Sequence, residues 1–217
     1  MGYPLSSKSS TLHFHTSLIL VGLAINAFMK SRWRQGFPLA KSVQRINNNA
    51  YAIFSLILCL SLIFVLQAEF QQKLGYIYHL SKFYEAADIY LFLLSGYFPN
   101  AHFAVHHLTT PVLTADSVIG QPVADWRIPA ILNTFHHFFM YSFFGGRQQF
   151  RKILPVTGTT QLVVGIWKAG AIVMETGGER ELIAVGLYLV YAVLYAKELH
   201  DVKKVWGGVT ITRKGPE

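Results

Sequence analysis

The sequence predicts an all-α fold, a polytopic membrane bundle of seven transmembrane helices. Long apolar blocks separated by short connections carry this prediction, together with an uneven distribution of basic residues between the blocks. Of the 217 residues, 52% are apolar and only 14% are charged, which is too hydrophobic for an ordinary soluble domain. The chain shows no internal repeat, so residues 1–217 are expected to form a single domain with short tails at about 1–10 and 206–217.

Each predicted helix is an apolar stretch that approaches the roughly 20 residues needed to cross the hydrocarbon layer. Two stretches fit directly, at 12–29 and 51–68. Five weaker ones follow at 76–97, 101–118, 128–144, 160–173 and 182–195, and the last two are short enough to be tilted or partly re-entrant. The first stretch is expected to be retained rather than cleaved as a signal sequence, because basic residues follow it closely. Cys59, the single cysteine, is expected to fill buried space in the second helix.

The net charge of +8 is explained by membrane topology, so no nucleic-acid partner is expected. Basic residues concentrate in the first and fifth connections and after the last helix, and these segments share one side if the helices alternate in direction. By the positive-inside rule that side is cytosolic, which puts the amino terminus in the lumen and the carboxyl terminus in the cytosol. The residues concerned are Lys30, Arg32, Arg34, Lys41, Arg45, Arg147, Arg151, Lys152, Lys197, Lys203, Lys204, Arg213 and Lys214.

Three polar clusters lie inside the apolar stretches. They are Lys82-x-x-Glu85-x-x-Asp88, His102-x-x-x-His106-His107 and Asn133-x-x-x-His137-x-x-Met140-Tyr141, the last flanked by His136. Ionisable groups are costly in a low-dielectric setting, so several at helical spacing indicate a site rather than a core. On a helical wheel, His102 and His106 lie about 40° apart and share a face. The alternatives are structural hydrogen bonds between helices and, for Lys82, a solvated helix end.

The helix directions predict that His106 and His137 meet. The fourth helix enters from the cytosolic face and puts His106 about 8 Å below its start. The fifth helix runs the other way and puts His137 about 10 Å from its cytosolic end. Both imidazoles are therefore expected at similar depth. Asp88 lies near mid-membrane, where it needs a donor such as a histidine, a tyrosine or the lysine.

In this order and spacing the clusters resemble the motifs of the ELO family of very-long-chain fatty-acid elongases, which are membrane 3-ketoacyl-CoA synthases. The family motifs are K-x-x-E-x-x-D-T, H-x-x-H-H, N-x-x-x-H-x-x-M-Y-x-Y-Y and T-x-x-Q-x-x-Q. The resemblance covers about residues 80–165 by motif, ending in a degraded Gly158-Thr159-Thr160-Gln161, and the remainder by its helix pattern. The departures are Ile89 for the threonine, Phe103 for the first histidine, Phe143 and Phe144 for the two tyrosines, and Val164 for the second glutamine.

The resemblance implies condensation of a long-chain acyl-CoA with malonyl-CoA in the endoplasmic reticulum membrane, without a metal or other cofactor. Its catalytic residues would be His106 as the nucleophile that forms an acyl-imidazole, His137 as acid/base or carbanion partner, and His107 as an orienting or protonating group, with His102 beside them. Other enzymes of the elongation cycle, or a second copy of the chain, are the implied protein partners. The implied substrate contacts are Lys82, Glu85, Asp88, Asn133, Tyr141 and Gln161, with Arg147, Arg151 and Lys152 at the CoA phosphates.

Two other classes of protein stay open. A di-iron membrane desaturase or hydroxylase also uses histidine boxes, but it needs about eight clustered histidines. This chain has nine, of which His13, His15, His79 and His200 are scattered. A non-catalytic elongase-like regulator or a proton-linked transporter would also bury histidines in a membrane. Iron analysis separates the first class, and an assay for malonyl-CoA-dependent chain lengthening separates the second.

Overall fold

The computed structural model describes residues 8–33, 35–97, 99–115, 118, 126–176 and 179–207, and these residues form helices and connections without any strand. The predicted all-α class is confirmed. Of the two predicted tails, residues 1–7 and 208–217 lie outside the described residues. The helices are α1 (Lys8–Arg32), α2 (Pro38–Phe64), α3 (Ala68–Leu94), α4 (Ala101–Thr114), α5 (Arg127–Phe144), α6 (Leu154–Thr176) and α7 (Glu179–Gly207), with a 3-10 helix at Gln148–Lys152.

The helices pack so that α5 lies between α2 and α6. Helix α3 contacts α2 on one side and α4 on another, while α7 closes against α6 and α4. Helix α1 covers α3 and α4. This order brings the three polar clusters, which belong to α3, α4 and α5, to the inside of the bundle.

Three helical segments are long and apolar enough to cross a membrane: Pro38–Phe64, Leu154–Glu175 and Leu182–Asp201. They indicate a membrane protein. A shorter apolar segment, Thr16–Met29, lies within α1. Helices α3, α4 and α5 fall short of the same criteria because they are short or carry the polar clusters. The count of seven spans and the orientation of the termini therefore stay predictions.

Helices α3 and α5 turn their polar side chains toward the inside of the bundle. Helix α3 exposes Ile77, Leu80 and Tyr84 while it buries Lys82 and Glu85. Helix α5 likewise exposes Ile128, Phe135 and Phe144 and buries its cluster residues. A water-soluble bundle has the opposite arrangement. From Ile77 onward the outer surface of α3, like that of α5, is therefore suited to lipid.

The second helix begins earlier than the hydropathy pattern indicates. It starts at Pro38, so Lys41 and Arg45 lie on its first turns instead of in the preceding connection. Proline suits this position because the first helical N–H has no partner in the helix. The hydropathy pattern misses this part of the helix because it contains polar residues such as Gln44 and Asn48, although both are buried against the bundle. Helices α6 and α7 have 23 and 29 residues, so both are longer than the predicted stretches.

Two glycines join the connection before α2 to the end of α3. Gly36 and Gly96 have φ values of 69° and 83°, a region that favours glycine. A Cβ atom on Gly36 would lie 2.2 Å from the carbonyl carbon of Ser95, so the backbones are in direct contact. The Phe37 N–H also donates to the Leu94 carbonyl at 2.8 Å. This contact fixes α2 and α3 at the end of the bundle where α4 begins.

Candidate functional site

The Glu85 carboxylate organises the centre of the bundle. Its Oε1 atom accepts hydrogen bonds from Lys82 Nζ at 2.6 Å and from the Tyr51 hydroxyl at 2.7 Å. His137 Nδ1 lies 3.0 Å from the same oxygen. All four side chains are buried. The alternative that Lys82 lies at a solvated helix end is therefore wrong, because its side chain is buried against Glu85 and against Asn133 of α5.

Asn133 is a second hub beside Glu85. Its Oδ1 accepts from Lys82 Nζ and, at 3.3 Å, from the Tyr78 hydroxyl. Its amide nitrogen donates to Gln161 Oε1 at 3.1 Å and approaches His137 Nε2 at 3.4 Å. A primary amide has two donor hydrogens and one acceptor oxygen, so the side chain is fully used. Asn133 thereby links α3, α5 and α6 in one hydrogen-bonded network.

The imidazoles of His106, His107 and His137 converge as predicted. The His106 ring centroid lies 5.4 Å from that of His107 and 6.4 Å from that of His137. The His107 and His137 rings are nearly parallel at 6.4 Å. The predicted convergence of the His106 and His137 imidazoles is confirmed.

Hydrogen bonds distinguish the three histidines. His107 Nδ1 lies 3.0 Å from the Glu85 carbonyl oxygen, and His137 Nδ1 faces the Glu85 carboxylate. An Nδ1 that faces an acceptor carries the proton, so Nε2 of each ring keeps its lone pair. The ring nitrogens of His106 form no hydrogen bond with any residue that the structure describes, and Tyr191 packs against its ring at 4.9 Å. His106 is thus the imidazole whose nitrogens are available to a ligand.

His102 shares a face of α4 with His106, as predicted, but it turns toward α7. Its ring centroid lies 5.8 Å from that of His106. Its Nδ1 lies 2.8 Å from Glu198 Oε2, and its ring is 5.1 Å from Tyr195. His102 therefore lies beside His106, on the side away from the Glu85 network.

Phe103 and His136, the neighbours of cluster residues, both have structural partners. Phe103, which replaces a histidine of the resembled motif, stacks on His107 with ring centroids 4.1 Å apart. Its ring holds the His107 imidazole against α3. His136 Nδ1 lies 2.8 Å from the Thr157 hydroxyl on α6, so its hydrogen bond leads away from the other imidazoles.

Asp88 and Tyr141 form the far edge of the network. The Asn47 amide of α2 donates to Asp88 Oδ1 at 2.8 Å, whereas the buried Tyr141 hydroxyl has no hydrogen-bond partner among the described residues. The Tyr141 ring packs against Tyr51 at 4.5 Å and against His137 at 5.7 Å. The sequence predicted a histidine, tyrosine or lysine as the donor to Asp88, and the asparagine was missed.

The basic residues predicted at the CoA phosphates lie after the end of α5. Arg147 follows the Gly145–Gly146 turn, and its guanidinium approaches the Ser142 hydroxyl at 3.5 Å. Arg151 and Lys152 end the 3-10 helix. Arg45 of α2 lies next to Gly146 and adds a further positive charge at this end. These residues are grouped together, outside the buried network.

Sequence reasoning missed the tyrosines and the α7 side of the site. Tyrosine is a common residue in membrane helices, so the sequence does not single out Tyr51 and Tyr78. Only the packing shows their hydrogen bonds to Glu85 and Asn133. On α7, Tyr191, Tyr195 and Glu198 follow the spacing of one helical face. That spacing was the available signal, because all three face α4.

The described residues contain no group of three or more histidine, cysteine, aspartate or glutamate side chains placed to hold a metal ion. No protein-family model matches the chain, and no curated protein is detectably similar to it. The resemblance to the elongases rests on the motif residues alone.

Proposed function

We propose that this protein is a membrane-embedded condensing enzyme that joins a long-chain acyl-CoA to malonyl-CoA and yields a 3-ketoacyl-CoA, CO₂ and CoA. One observation carries the proposal: the His106 imidazole, which hydrogen-bonds with no residue that the structure describes, lies beside His107 and His137, which Glu85 holds in fixed orientations. Covalent catalysis needs a nucleophile within reach of an oriented base.

In the first half-reaction, a ring nitrogen of His106 attacks the thioester carbonyl carbon. A C–N bond forms, the C–S bond breaks, and the imidazole proton passes to the leaving CoA thiolate to give the free thiol. His107 keeps an Nε2 lone pair that accepts from no residue the structure describes, so it is suited to carry that proton. The Nε2 lone pair of His137 can do so only once the Asn133 amide moves away from it. The dry surroundings protect the acyl-imidazole from hydrolysis.

In the second half-reaction, malonyl-CoA loses CO₂ and the resulting enolate attacks the acyl carbon. The new C–C bond forms as the C–N bond to His106 breaks, and the imidazole regains a proton. Lys82 and the Tyr141 hydroxyl are the groups suited to a carboxylate or an enolate oxygen. Asn133 already uses both amide hydrogens, so we assign it to holding Lys82 and His137, and a substrate oxygen would have to displace Gln161 to reach it.

The membrane arrangement that fits this reaction has seven spans, a lumenal amino terminus and the site opening to the cytosol of the endoplasmic reticulum, where CoA esters are present. The basic group of Arg147, Arg151 and Lys152 would then receive CoA phosphates. Asp88 would limit the movement of Tyr141. The acyl chain would lie among the apolar helix faces. Association with other enzymes of acyl-chain elongation, or with a second copy, belongs to the same proposal.

The test uses the purified protein in lipid nanodiscs with long-chain acyl-CoA and radiolabelled malonyl-CoA. We expect a labelled 3-ketoacyl product and, with acyl-CoA alone, an acyl adduct on His106 by mass spectrometry. His106→Ala should remove both signals, while His200→Ala, an exposed histidine of α7, should keep them. Full activity of the His106→Ala protein would contradict the nucleophile assignment. A folded but inactive wild-type protein would favour the non-catalytic class, and bound iron with oxygen-dependent activity would favour the di-iron class.

A further inference from the structure

His102 and Glu198 contact each other at one end of the bundle, between α4 and α7. Nδ1 of His102 and Oε2 of Glu198 are 2.8 Å apart, which is hydrogen-bond distance. Tyr195 packs against the His102 ring, and its hydroxyl donates to the Leu154 carbonyl at 2.9 Å. The pair is therefore held in position from two helices.

The exposed fraction of the side chains falls stepwise from this pair to the site. The Glu198 side chain is 34% exposed and the His102 side chain 19% exposed. His106 is 9% exposed, and beyond it His137 is 2% exposed. The His102 and His106 ring centroids are 5.8 Å apart, a spacing that a ring rotation or a single water molecule bridges. A series of proton-carrying groups thus leads from the surface to His106.

The condensation proposed above requires such a route. Acylation of His106 is neutral in protons, because the imidazole proton ends on the CoA thiol. Condensation consumes one proton, since the malonyl carboxylate leaves as CO₂ and the departing imidazole nitrogen must be protonated. Each turnover therefore takes one proton from water to a buried ring nitrogen.

We propose that His102 and Glu198 are a proton-transfer pair that delivers this proton to His106 in the second half-reaction. The inference rests on the proposed function. His102 gives its proton to His106 and is reprotonated by Glu198, the more exposed member of the pair. The titratable groups that face His102 are His106 on its own helix, His136 on α5, and Tyr195 and Glu198 on α7.

The test separates the two half-reactions in four variants. Glu198→Gln and His102→Gln keep a polar side chain and remove the proton-carrying group. The matched controls are Asp201→Asn and His200→Gln, which alter an exposed histidine–carboxylate pair at the same end of α7, 3.7 Å apart. Acylation is followed by mass spectrometry with acyl-CoA alone. The second step is followed by rapid mixing of the acylated protein with malonyl-CoA, with and without added imidazole.

We expect Glu198→Gln and His102→Gln to acylate within about twofold of the wild type and to slow the second step by about 100-fold, the lower end of the range for proton transfer by a positioned group. Added imidazole should restore the rate in a concentration-dependent manner, and both controls should match the wild type. If the rate of the second step stays within twofold of the wild-type rate, His102 and Glu198 are not a proton-transfer pair, while the proposed condensation still stands. Equal loss in both half-reactions without rescue would show a structural role and also overturn it. A wild-type protein that is never acylated would refute the proposed function and this inference with it.

Discussion

The Nδ1 atom of His137 lies 3.0 Å from the Glu85 oxygen that Lys82 and Tyr51 also contact. One carboxylate oxygen therefore sets the orientation of an imidazole, an ammonium and a phenol that come from three different helices. Removing one partner changes the other two as well, so these side chains are expected to act as a unit.

Replacing Glu85 by glutamine should abolish most of the condensation while the bundle still folds. The amide keeps the shape but not the charge that fixes the His137 tautomer. We expect turnover to fall by about 10² to 10⁴, the range for loss of an oriented acid or base. Condensation is measured with radiolabelled malonyl-CoA, and Glu175→Gln, an exposed position on α6, is the control. Turnover within twofold of wild type would show that Glu85 does not orient the site.

Helix α3 contains two lysine–glutamate pairs that should differ sharply in their effect on stability. Lys82 and Glu85 are buried, whereas Lys73 and Glu69 are 50% and 76% exposed. Lys82→Met leaves a buried carboxylate without its cation and should destabilise the fold by about 3 to 5 kcal/mol. Lys73→Met should leave the melting temperature unchanged, because exposed pairs contribute little. Thermal unfolding in detergent compares the two, and equal melting temperatures would contradict the central role of the buried pair.

Glycines on α6 provide a matched test of helix packing. A Cβ atom on Gly158 would lie 2.2 Å from the Tyr195 hydroxyl oxygen, while one on Gly170 would meet nothing within 4 Å. Gly158→Ala should displace Tyr195 and cost about 1 to 3 kcal/mol through overpacking. Gly170→Ala should gain up to about 1 kcal/mol, because alanine favours the helix. Unfolding midpoints of the two variants are the measurement. A stabilised Gly158→Ala protein would mean that α6 and α7 are further apart.

Membrane orientation is tested by single cysteines in a Cys59→Ala protein. Cys59 is buried, so its removal leaves the surface unchanged. Lys152→Cys and Lys73→Cys place thiols at two exposed positions that the predicted topology puts on opposite sides. In sealed microsomes, an impermeant maleimide should label position 152 directly and position 73 only after permeabilisation. The reverse pattern would invert the proposed orientation.

The sequence was sufficient for the helix order and for the central cluster. Long apolar blocks predict helices because few other structures satisfy backbone groups in an apolar setting. The spacing of Lys82 and Glu85 and the opposite directions of α4 and α5 were also sufficient to bring the imidazoles together. These features depend on local periodicity, which a single sequence contains.

Contacts between distant helices could not be predicted in the same way. The bond from Asn47 to Asp88 spans two helices, and nothing in the local pattern marks that asparagine. The start of α2 was missed because its first turns are rich in polar residues and largely exposed, with Gln44 and Asn48 buried among them. Nothing in the local pattern singles out Glu198, and only the packing of α7 against α4 brings it to His102.

The inward-facing charges of α3 affect how the chain enters a bilayer. Lys82 and Asp88 each oppose insertion of an isolated helix by about 2.5 to 3.5 kcal/mol at the bilayer centre. Their partners lie on α2, which precedes α3, and on α5, which the ribosome makes later. In the proposed seven-span arrangement, helix α3 would therefore be unstable in lipid until α5 arrives, and it would wait beside α2 or within the insertion machinery. Truncation before α5 should then leave the nascent chain dependent on that machinery, which would make the polar centre a determinant of biogenesis.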